Sequence, residues 1–309
     1  MKHSLYTIRN YRPADFSDFV RLAIKLETLE PMGRCTSLHT LGESLKQPNF
    51  SPEQDIFVAE INGNIIGFMN VTSEQHTGRV ILDCLVHPEH RRRGLAKNLL
   101  DCATLRAREL KAKVAHVNIR EDNKAVSDVL SRLDFRIVRR FFELRLRLDD
   151  LNIPELFDDT YSYHSLRHGE EENLTRLQNR CFAETWGYNP NTHEEIVQRL
   201  NISQSSPDDV ILIYYASKPV GYCWAIACHG DDNAAEKEWR IYMLGVDPDY
   251  RGRGIGRKIL LAGLSHLKKR GIQLAEITVD CENNAACSLY YSVGFKYWTS
   301  SLWYEKSID

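Results

Sequence analysis

The chain has 309 residues, of which 43% are hydrophobic and 27% charged, a composition that is typical of globular proteins and excludes a disordered or fibrous chain. This length predicts two domains, because one domain usually has about 100–200 residues. The net charge of −2 excludes a chain-wide basic surface for nucleic acid, and the absence of any run of about 18 apolar residues argues against a membrane span.

The first half of the chain alternates between strand and helix patterns, which predicts a mixed α/β sheet. The predicted elements are a strand at 6–12, a helix at 16–26, strands at 55–61, 65–71 and 78–86, a helix at 95–110 and a strand at 113–119. Between the second and third of these strands lies Asn62-Gly63, a dipeptide that is typical of a two-residue hairpin turn.

The second half predicts the same alternation. Its elements are strands at 210–216, 220–227 and 238–246, a helix from Ile255 to about Arg270, a strand at 274–279, a helix from Asn283 to Gly294 and a last strand at 295–306. Gly271 is expected to end the first of these helices. The last strand is expected to close the sheet of this half.

The two halves are copies of one another. VHPEHRRRGLAKNLL begins at Val86 and VDPDYRGRGIGRKIL at Val246, and the same offset of 160 residues separates NKAVSDVLSRLDF at Asn123 from NNAACSLYYSVGF at Asn283. Two matching blocks at one offset indicate a duplication. We therefore predict domains at 1–148 and 160–309, joined by a linker at 149–159.

The eight cysteines include no C-x-x-C pair and no spacing that is typical of metal ligands. They are interpreted as free thiols, mostly buried, in a reducing compartment. The opening segment MKHSLYTIRNYRPADF lacks the apolar core of a signal peptide. A cytoplasmic protein without a bound metal is therefore expected.

A glycine-rich turn joins a predicted strand to a predicted helix in each half, as RGRGIG at 251–256 and RRRGLA at 91–96. The unpaired N–H groups at a helix N-terminus, together with the helix dipole, bind phosphate groups, and glycine lets the backbone approach the ligand. Two other phosphate-binding motifs fit less well. A Rossmann turn follows the first strand of its unit, whereas the turn at 91–96 follows the fourth predicted strand of its half. A P-loop needs G-x-x-x-x-G-K-[ST], which neither turn contains.

The motif V-x-P-x-x-R-x-x-G-x-[GA], followed by N-x-x-A-x-x-L-Y-x-x-x-G-F, resembles the GNAT superfamily of N-acetyltransferases. The second half contains every residue of it: Val246, Pro248, Arg251, Gly254, Gly256, Asn283, Ala286, Leu289, Tyr290, Gly294 and Phe295. The resemblance implies an α/β fold, with two tandem copies of a mixed twisted sheet and flanking helices, and acetyl-CoA as co-substrate. The tandem arrangement and the segment CFAETWGYNPNT, which begins at Cys181, also resemble the mycothiol synthases.

The resemblance implies a set of acetyl-CoA-binding residues in each half. In the second half these are Leu244, Gly245, Val246, Arg251, Gly252, Arg253, Gly254, Ile255, Gly256, Arg257, Asn283 and Ala286. In the first half they are Leu85, Val86, Arg91, Arg92, Arg93, Gly94, Leu95 and Ala96.

The resemblance also implies that Tyr290 is the general acid that protonates the leaving thiolate. The matching residue of the first half is Leu130, and Asp134 stands where the second half has Gly294. Because leucine cannot donate a proton, the first domain is expected to bind acetyl-CoA without transferring the acetyl group.

The general base is less clear from the sequence. Arg240 stands where many family members have glutamate. Glu238 lies two residues earlier on the same face of the strand, which makes it the candidate. Arg240 is expected to lower the pKa of Glu238, which suits a base poorly, so a water relay or an amine that arrives neutral are alternatives.

The resemblance also implies that the first helices and the loop between them determine the acceptor, which in the second half is the segment 181–190, with Phe182, Trp186 and Tyr188 as candidate walls of the pocket. Packing in a small satellite core is the alternative for these aromatic residues. The insertion HGDDNAAEKE at 229–238 could attract a cationic amine or form a solvated hairpin tip.

Together these observations predict an acetyl-CoA-dependent N-acetyltransferase, active in its second half on a primary amine of a small molecule or peptide. The alternative is a non-catalytic acyl-CoA-binding module. Neither a nucleic acid nor a membrane is expected as a partner, and the oligomeric state stays open.

Overall fold

The computed structural model describes residues 6–30, 36–149, 151–153, 160–228 and 238–308. The chain divides into two units, one formed by residues 1–140 with 301–309 and the other by residues 141–300. Among the described helices, none combines the length and the apolar run that a bilayer crossing requires. The seven described cysteines are free thiols.

The first unit is a sheet with helices on both faces. Its elements are β1 (Thr7–Asn10), α1 (Phe16–Leu29), α2 (Leu38–Ser44), α3 (Pro52–Asp55), β2 (Ile56–Ile61), β3 (Asn64–Glu74), β4 (Arg79–Val86), α4 (Leu95–Glu109), β5 (Val114–Arg120), α5 (Lys124–Arg132) and the first part of β6 (Arg136–Arg147). Neighbouring strands from β1 to β5 are antiparallel except β4 and β5, which are parallel. Asn62 and Gly63 both have positive φ, as the predicted hairpin turn requires.

The second unit repeats this architecture. Its elements are β7 (Tyr161–Ser165), α6 (Glu171–Phe182), α7 (His193–Leu200), β8 (Val210–Tyr215), β9 (Lys218–Ala227), β10 (Glu238–Val246), α8 (Ile255–Lys269), β11 (Leu274–Asp280), α9 (Asn284–Val293) and the first part of β12 (Lys296–Ser307). Helices α8 and α9 cover one face of the sheet through a core that includes Ile259 and Tyr290. Helices α6 and α7 cover the other face, around Leu174 and Trp224.

The last strand of each sequence repeat completes the sheet of the other unit. Residues 141–147 of β6 pair with 274–280 of β11, and residues 301–307 of β12 pair with 114–120 of β5. The expectation that 295–306 closes the sheet of the second half is therefore wrong. Strand periodicity specifies which face of a strand is buried, but it does not specify the neighbour with which the strand pairs.

The predicted domain boundaries, 1–148 and 160–309, describe the sequence repeat and differ from the two units at these last strands. Of the predicted linker at 149–159, residue 150 and residues 154–159 lie outside the described part of the chain.

Candidate active site

In the second unit, the parallel strands β10 and β11 run together only at their beginnings. Their pairing ends at Ile241 and Ile277, whereas β10 continues to pair with β9 as far as Val246. A bulge just after Ile241 bends β10. We call the gap that opens there the fork. No described strand pairs with the predicted residues 244–246 on the fork side, so their peptide groups are available to bind and polarise an acyl carbonyl.

The glycine-rich turn lies between β10 and α8. Gly252 and Gly254 have φ values of 75° and 76°, a region that costs other residues about 1–2 kcal/mol. Helix α8 begins at the buried Ile255, so the unpaired N–H groups of its first turn lie directly after the turn. A Cβ at Gly256 would lie 3.4 Å from Leu289 Cδ2, which shows that this glycine lets α8 and α9 pack closely.

The arginines of the turn make contacts within the protein. Arg251 donates through Nη2 to the carbonyl oxygen of Cys181 at 2.6 Å and through Nε to that of Val246 at 3.3 Å, so it ties the end of α6 to the end of β10. Arg253 donates to the carbonyl oxygen of Asp249 at 3.1 Å. Arg257 donates to Ser292 Oγ at 2.8 Å. All three side chains are solvent-exposed, and phosphate binding by them stays a prediction.

Tyr290 lies in the buried core that packs against the end of β10. The residue is 6% exposed, and the centre of its ring lies 5.9 Å from that of Phe295. Leu244 and Val246 pack against the same core. Burial raises the pKa of the Tyr290 hydroxyl well above its ordinary value, so the phenol keeps its proton at neutral pH. The adjacent Tyr291 is 46% exposed and points elsewhere, as its helical position predicts.

Asn283 holds the helix that carries Tyr290. Its Oδ1 accepts a hydrogen bond from the N–H of Ala286 at 3.1 Å, which caps the start of α9. Asn123 caps α5 of the first unit in the same way, with the N–H of Val126 at 3.2 Å. The structure thus assigns Asn283 a capping role, whereas binding of acetyl-CoA by Asn283 stays a prediction.

Glu238 lies at the start of β10 in an ionic network. Burial raises the pKa of Glu238 to about 7, and the hydrogen bond and charge of Glu276 act in the same direction. The charges of Arg145 and Arg240 act to lower the pKa of Glu238, but their effect is smaller than that of burial and Glu276. Arg240 therefore acts to lower the pKa of Glu238 as expected, but burial and Glu276 outweigh it, so the net pKa is raised. Arg240 Nη2 itself donates to Glu276 Oε2 at 3.1 Å.

Two further members of this network, Glu276 and Arg145, are not identified by any motif or spacing in the sequence. Arg145 donates to Glu276 Oε1 at 2.6 Å and to Glu238 Oε1 at 2.8 Å. Burial acts to raise the pKa of Glu276, but the hydrogen bond from Glu238 and the two arginines lower it overall. Ligand atoms of Cys228, Glu238 and Glu276 lie within 4.8 Å of one another, and the guanidinium groups supply positive charge at that place.

The structure brings together two of the three predicted acceptor-pocket residues. The rings of Phe182 and Tyr188 stack at 5.4 Å, and Tyr188 donates to Asn179 Oδ1 at 2.8 Å. Trp186 instead lies 6.1 Å from the ring of Phe141. All three predicted residues are half-buried, which is compatible with either a pocket wall or a satellite core. Residues 229–237 of the acidic insertion lie outside the described residues.

The first unit has the same gap and turn. Pairing of β4 with β5 ends at Ile81, while β4 pairs with β3 as far as Val86. The predicted residues Leu85 and Val86 end β4, Arg92 and Gly94 have φ values of 60° and 77°, and α4 begins at Leu95, followed by the half-buried Ala96.

The arginines of the first turn differ in their contacts. Arg91 donates to both carboxylate oxygens of Glu30 at 2.7 Å and to the carbonyl oxygen of Val86 at 3.0 Å, so it anchors the turn to the end of α1. Arg93 is exposed. Leu130 lies buried at the position of Tyr290, so α5 offers no hydroxyl there.

A model of the family described as "Acetyltransferase (GNAT) family" matches residues 26–135 and 172–295. The mycothiol acetyltransferase of Stackebrandtia nassauensis is 26% identical over 292 residues, which cover 92% of this chain and 94% of the relative. That of Nocardiopsis dassonvillei is 30% identical over 274 residues, which cover 80% of each chain.

Two solved structures are similar over almost the whole chain. A GCN5-related N-acetyltransferase from Sphaerobacter thermophilus has a TM-score of 0.73 at 19% identity and covers 99% of this chain and 96% of its own. A tandem GNAT protein from the clavulanic acid biosynthesis pathway has a TM-score of 0.74 at 15% identity and covers 98% and 99%. These matches confirm the predicted fold class and its tandem arrangement.

Proposed function

The chain belongs to the GNAT family of N-acetyltransferases, and we propose that its second unit transfers an acetyl group from acetyl-CoA to a primary amine. The observation that carries this proposal is the buried phenol of Tyr290, in the core against which the fork end of β10 packs. The first turn of α8 would bind the pyrophosphate. The peptide groups at 244–246 would polarise the acetyl carbonyl.

The proposed reaction is a direct transfer. An ammonium acceptor first loses a proton to Glu238, and the free lone pair forms the C–N bond as the C–S bond breaks. Tyr290 donates its proton to the leaving thiolate, and the nitrogen loses a second proton, which restores the phenol. The proton on Glu238 then passes to solvent. The pKa of about 7 suits this role, because a base works best when its pKa lies near the working pH.

We propose a small-molecule amine as the acceptor. The support is that the relatives with which the chain aligns over most of its length are named mycothiol acetyltransferases. Phe182 and Tyr188, stacked beside the end of α6, would form one wall of its pocket.

The first unit is proposed to bind acetyl-CoA without transferring the acetyl group. Its gap and helix start match those of the second unit, whereas Leu130 offers no proton. A non-catalytic binding module is thus our proposal for this unit alone.

The experiment is a titration with acetyl-CoA by calorimetry, followed by measurement of free CoA thiol with a panel of small amines. Two bound molecules per chain and thiol release with at least one amine are expected. The Tyr290→Phe variant should lower kcat by about 10²–10⁴-fold.

Tyr291→Phe is the matched control, because it removes a hydroxyl from the exposed neighbour and should leave kcat unchanged. Equal turnover of Tyr290→Phe and wild type would exclude the phenol as the acid. Binding of one molecule only, with thiol release that depends on Tyr290, would exclude an acetyl-CoA site in the first unit.

A further inference from the structure

We propose that Glu238 and Glu276, here called the carboxylate pair, share one proton and act together as the base, and that Arg145 is the positioning residue that holds the pair. Arg145 belongs to the sequence of the first repeat but lies in the second unit through β6. The inference rests on the proposed function and adds to it a base of two carboxylates and a residue that the second repeat does not contain.

The carboxylate pair lies beside the closed end of the fork. Glu276 pairs with Arg240 across β11 and β10, one residue before the last pair of the fork, Ile241 and Ile277. Along β10, Leu244 is four residues beyond Arg240, the partner of Glu276, which is about 13 Å of backbone. This distance can be bridged by the acceptor amine and one or two water molecules.

The pair also lies on the acceptor side of the sheet. Ile241 and Ile277 belong to the core under α8. Since successive side chains of a strand point to opposite faces, Arg240 and Glu276 point to the face that α6 covers. The predicted acceptor residue Phe182 packs on that face. A proton that leaves the amine would therefore be released on the side where the carboxylates lie.

Arg145 contacts both members of the pair. Its Nε and Nη2 atoms donate to Glu276 at 2.6 Å and to Glu238 at 2.8 Å. Its guanidinium lies 3.2 Å from the ring centre of Trp298, which fixes the plane of the group. One rigid cation thus holds two carboxyl groups side by side, where their mutual repulsion favours a single shared proton.

The other charged or titratable groups at this place come from β10, from β6 and from the residue just after β9. Arg240 of β10 donates to Glu276 at 3.1 Å. The carboxylate of Glu143 of β6 favours the charged form of Arg240. The thiol of Cys228, just after β9, lies 3.9 Å from a Glu276 oxygen. The described cluster thus has two positive charges, on Arg145 and Arg240, and three carboxyl groups, which are those of Glu143 and the carboxylate pair. With the pair unprotonated, the described cluster carries one excess negative charge, and the proton taken from the amine, shared by the pair, brings it to neutrality.

The test is to follow the glutamate carboxyl carbons by ¹³C NMR through a pH titration of the full chain, alongside the pH dependence of kcat/KM. A carboxyl that titrates near neutral pH in wild type and is missing in Glu238→Gln is expected. Arg145→Gln should raise this pKa and the acid limb of kcat/KM by about one unit, because a nearby positive charge is lost. Glu276→Gln should lower both, because a like charge is lost.

Two further variants separate positioning from general structural damage. Arg145→Lys keeps the charge and should leave the carboxyl pKa closer to wild type than Arg145→Gln does. Arg147→Gln removes an arginine from the same strand whose side chain is 55% exposed, and it should shift neither quantity.

The possible failures can be distinguished. If no glutamate titrates near neutral pH, or if Arg145→Gln and Glu276→Gln shift the pKa in the same direction, the inference is wrong even where amines are acetylated. If the carboxyl titrates as expected but no amine releases CoA thiol, the proposed function fails, and with it the role of the pair as a base.

Discussion

His116 of β5 and Glu305 of β12 face one another in the first unit, with 2.7 Å between Nε2 and Oε2. They lie 160 residues from Glu276 and from Arg145, respectively, and pair in the same register. His116 Nδ1 faces Arg79 Nη1 at 3.2 Å. Because arginine only donates, Nδ1 accepts and Nε2–H donates to Glu305.

This relationship predicts different outcomes for matched substitutions in the two units. Glu305→Gln removes the charge that accepts from His116 and should destabilise the first unit by about 1 kcal/mol. It should leave acetyl transfer unchanged, whereas Arg145→Gln should alter the pH profile. Urea unfolding and thiol release measure the two effects. A clear loss of turnover in Glu305→Gln would contradict the division of roles.

Asn283 and Asn123 cap equivalent helices of the two units, and only the first of these helices carries a predicted catalytic residue. Asn283→Ala and Asn123→Ala each remove one N-cap and should each cost about 1 kcal/mol. Only Asn283→Ala should lower kcat, since only its helix carries Tyr290. Denaturant unfolding with an acetyl-transfer assay provides the comparison, and equal losses of kcat in both variants would argue against this assignment.

Gly263 of α8 packs directly on Cys223 of β9. A Cβ at position 263 would overlap the Cys223 sulfur and lie 3.1 Å from its Cβ. Gly263→Ala should therefore destabilise the second unit by about 1–3 kcal/mol. In the double variant with Cys223→Ala the added methyl group has room, so the combined loss should be smaller than the sum. A strictly additive result, measured by chemical unfolding, would show that the two sites do not compete for space.

Asp247 links stability to pH. Burial acts to raise the pKa of Asp247, but hydrogen bonds from Arg180 and from the Asp249 N–H, with the charge of Lys218, lower it overall. A carboxyl whose pKa is lower in the folded than in the unfolded state stabilises the fold at pH values above its unfolded pKa. This stabilisation is lost as the pH falls through the folded pKa. Asp247→Asn should therefore cost about 1 kcal/mol at pH 7 and progressively less below about pH 4.

The matched control for Asp247 is Asp249→Asn. Asp249 contacts the same Arg180 at 2.9 Å, but its side chain is 69% exposed, so its loss should change stability by less than about 0.5 kcal/mol. Unfolding curves at several pH values test both variants. A pH-independent loss in Asp247→Asn would rule out the ionic contribution.

Much of the fold could be predicted because it depends on local patterns. The alternation of apolar residues located the strands, and Asn62-Gly63 forms the hairpin turn that its residue types demand. The offset of 160 residues also identified Leu130 as the counterpart of Tyr290, and both are buried.

The parts that could not be predicted depend on contacts between distant segments. Arg145 reaches Glu238 only because β6 pairs with β11, and no periodicity specifies that pairing. The pKa of Glu238 depends on burial and on Glu276, which lies 38 positions further along the chain. Arg251 likewise donates to the carbonyl oxygen of Cys181, which lies 70 residues earlier. This contact cannot be predicted from the sequence unless the position of the end of α6 in the fold is already known.

Because the last strand of each repeat pairs in the sheet of the other unit, we expect that neither repeat can fold without the other. A chain cut between residues 148 and 160 would give two fragments, each of which lacks one strand of its own sheet and carries a strand that belongs to the other. We expect neither fragment to fold when it is produced alone, and we expect the two to reconstitute the enzyme when they are produced together. Each repeat thus supplies part of the sheet that the other repeat needs, so we expect the two repeats to depend on one another for folding.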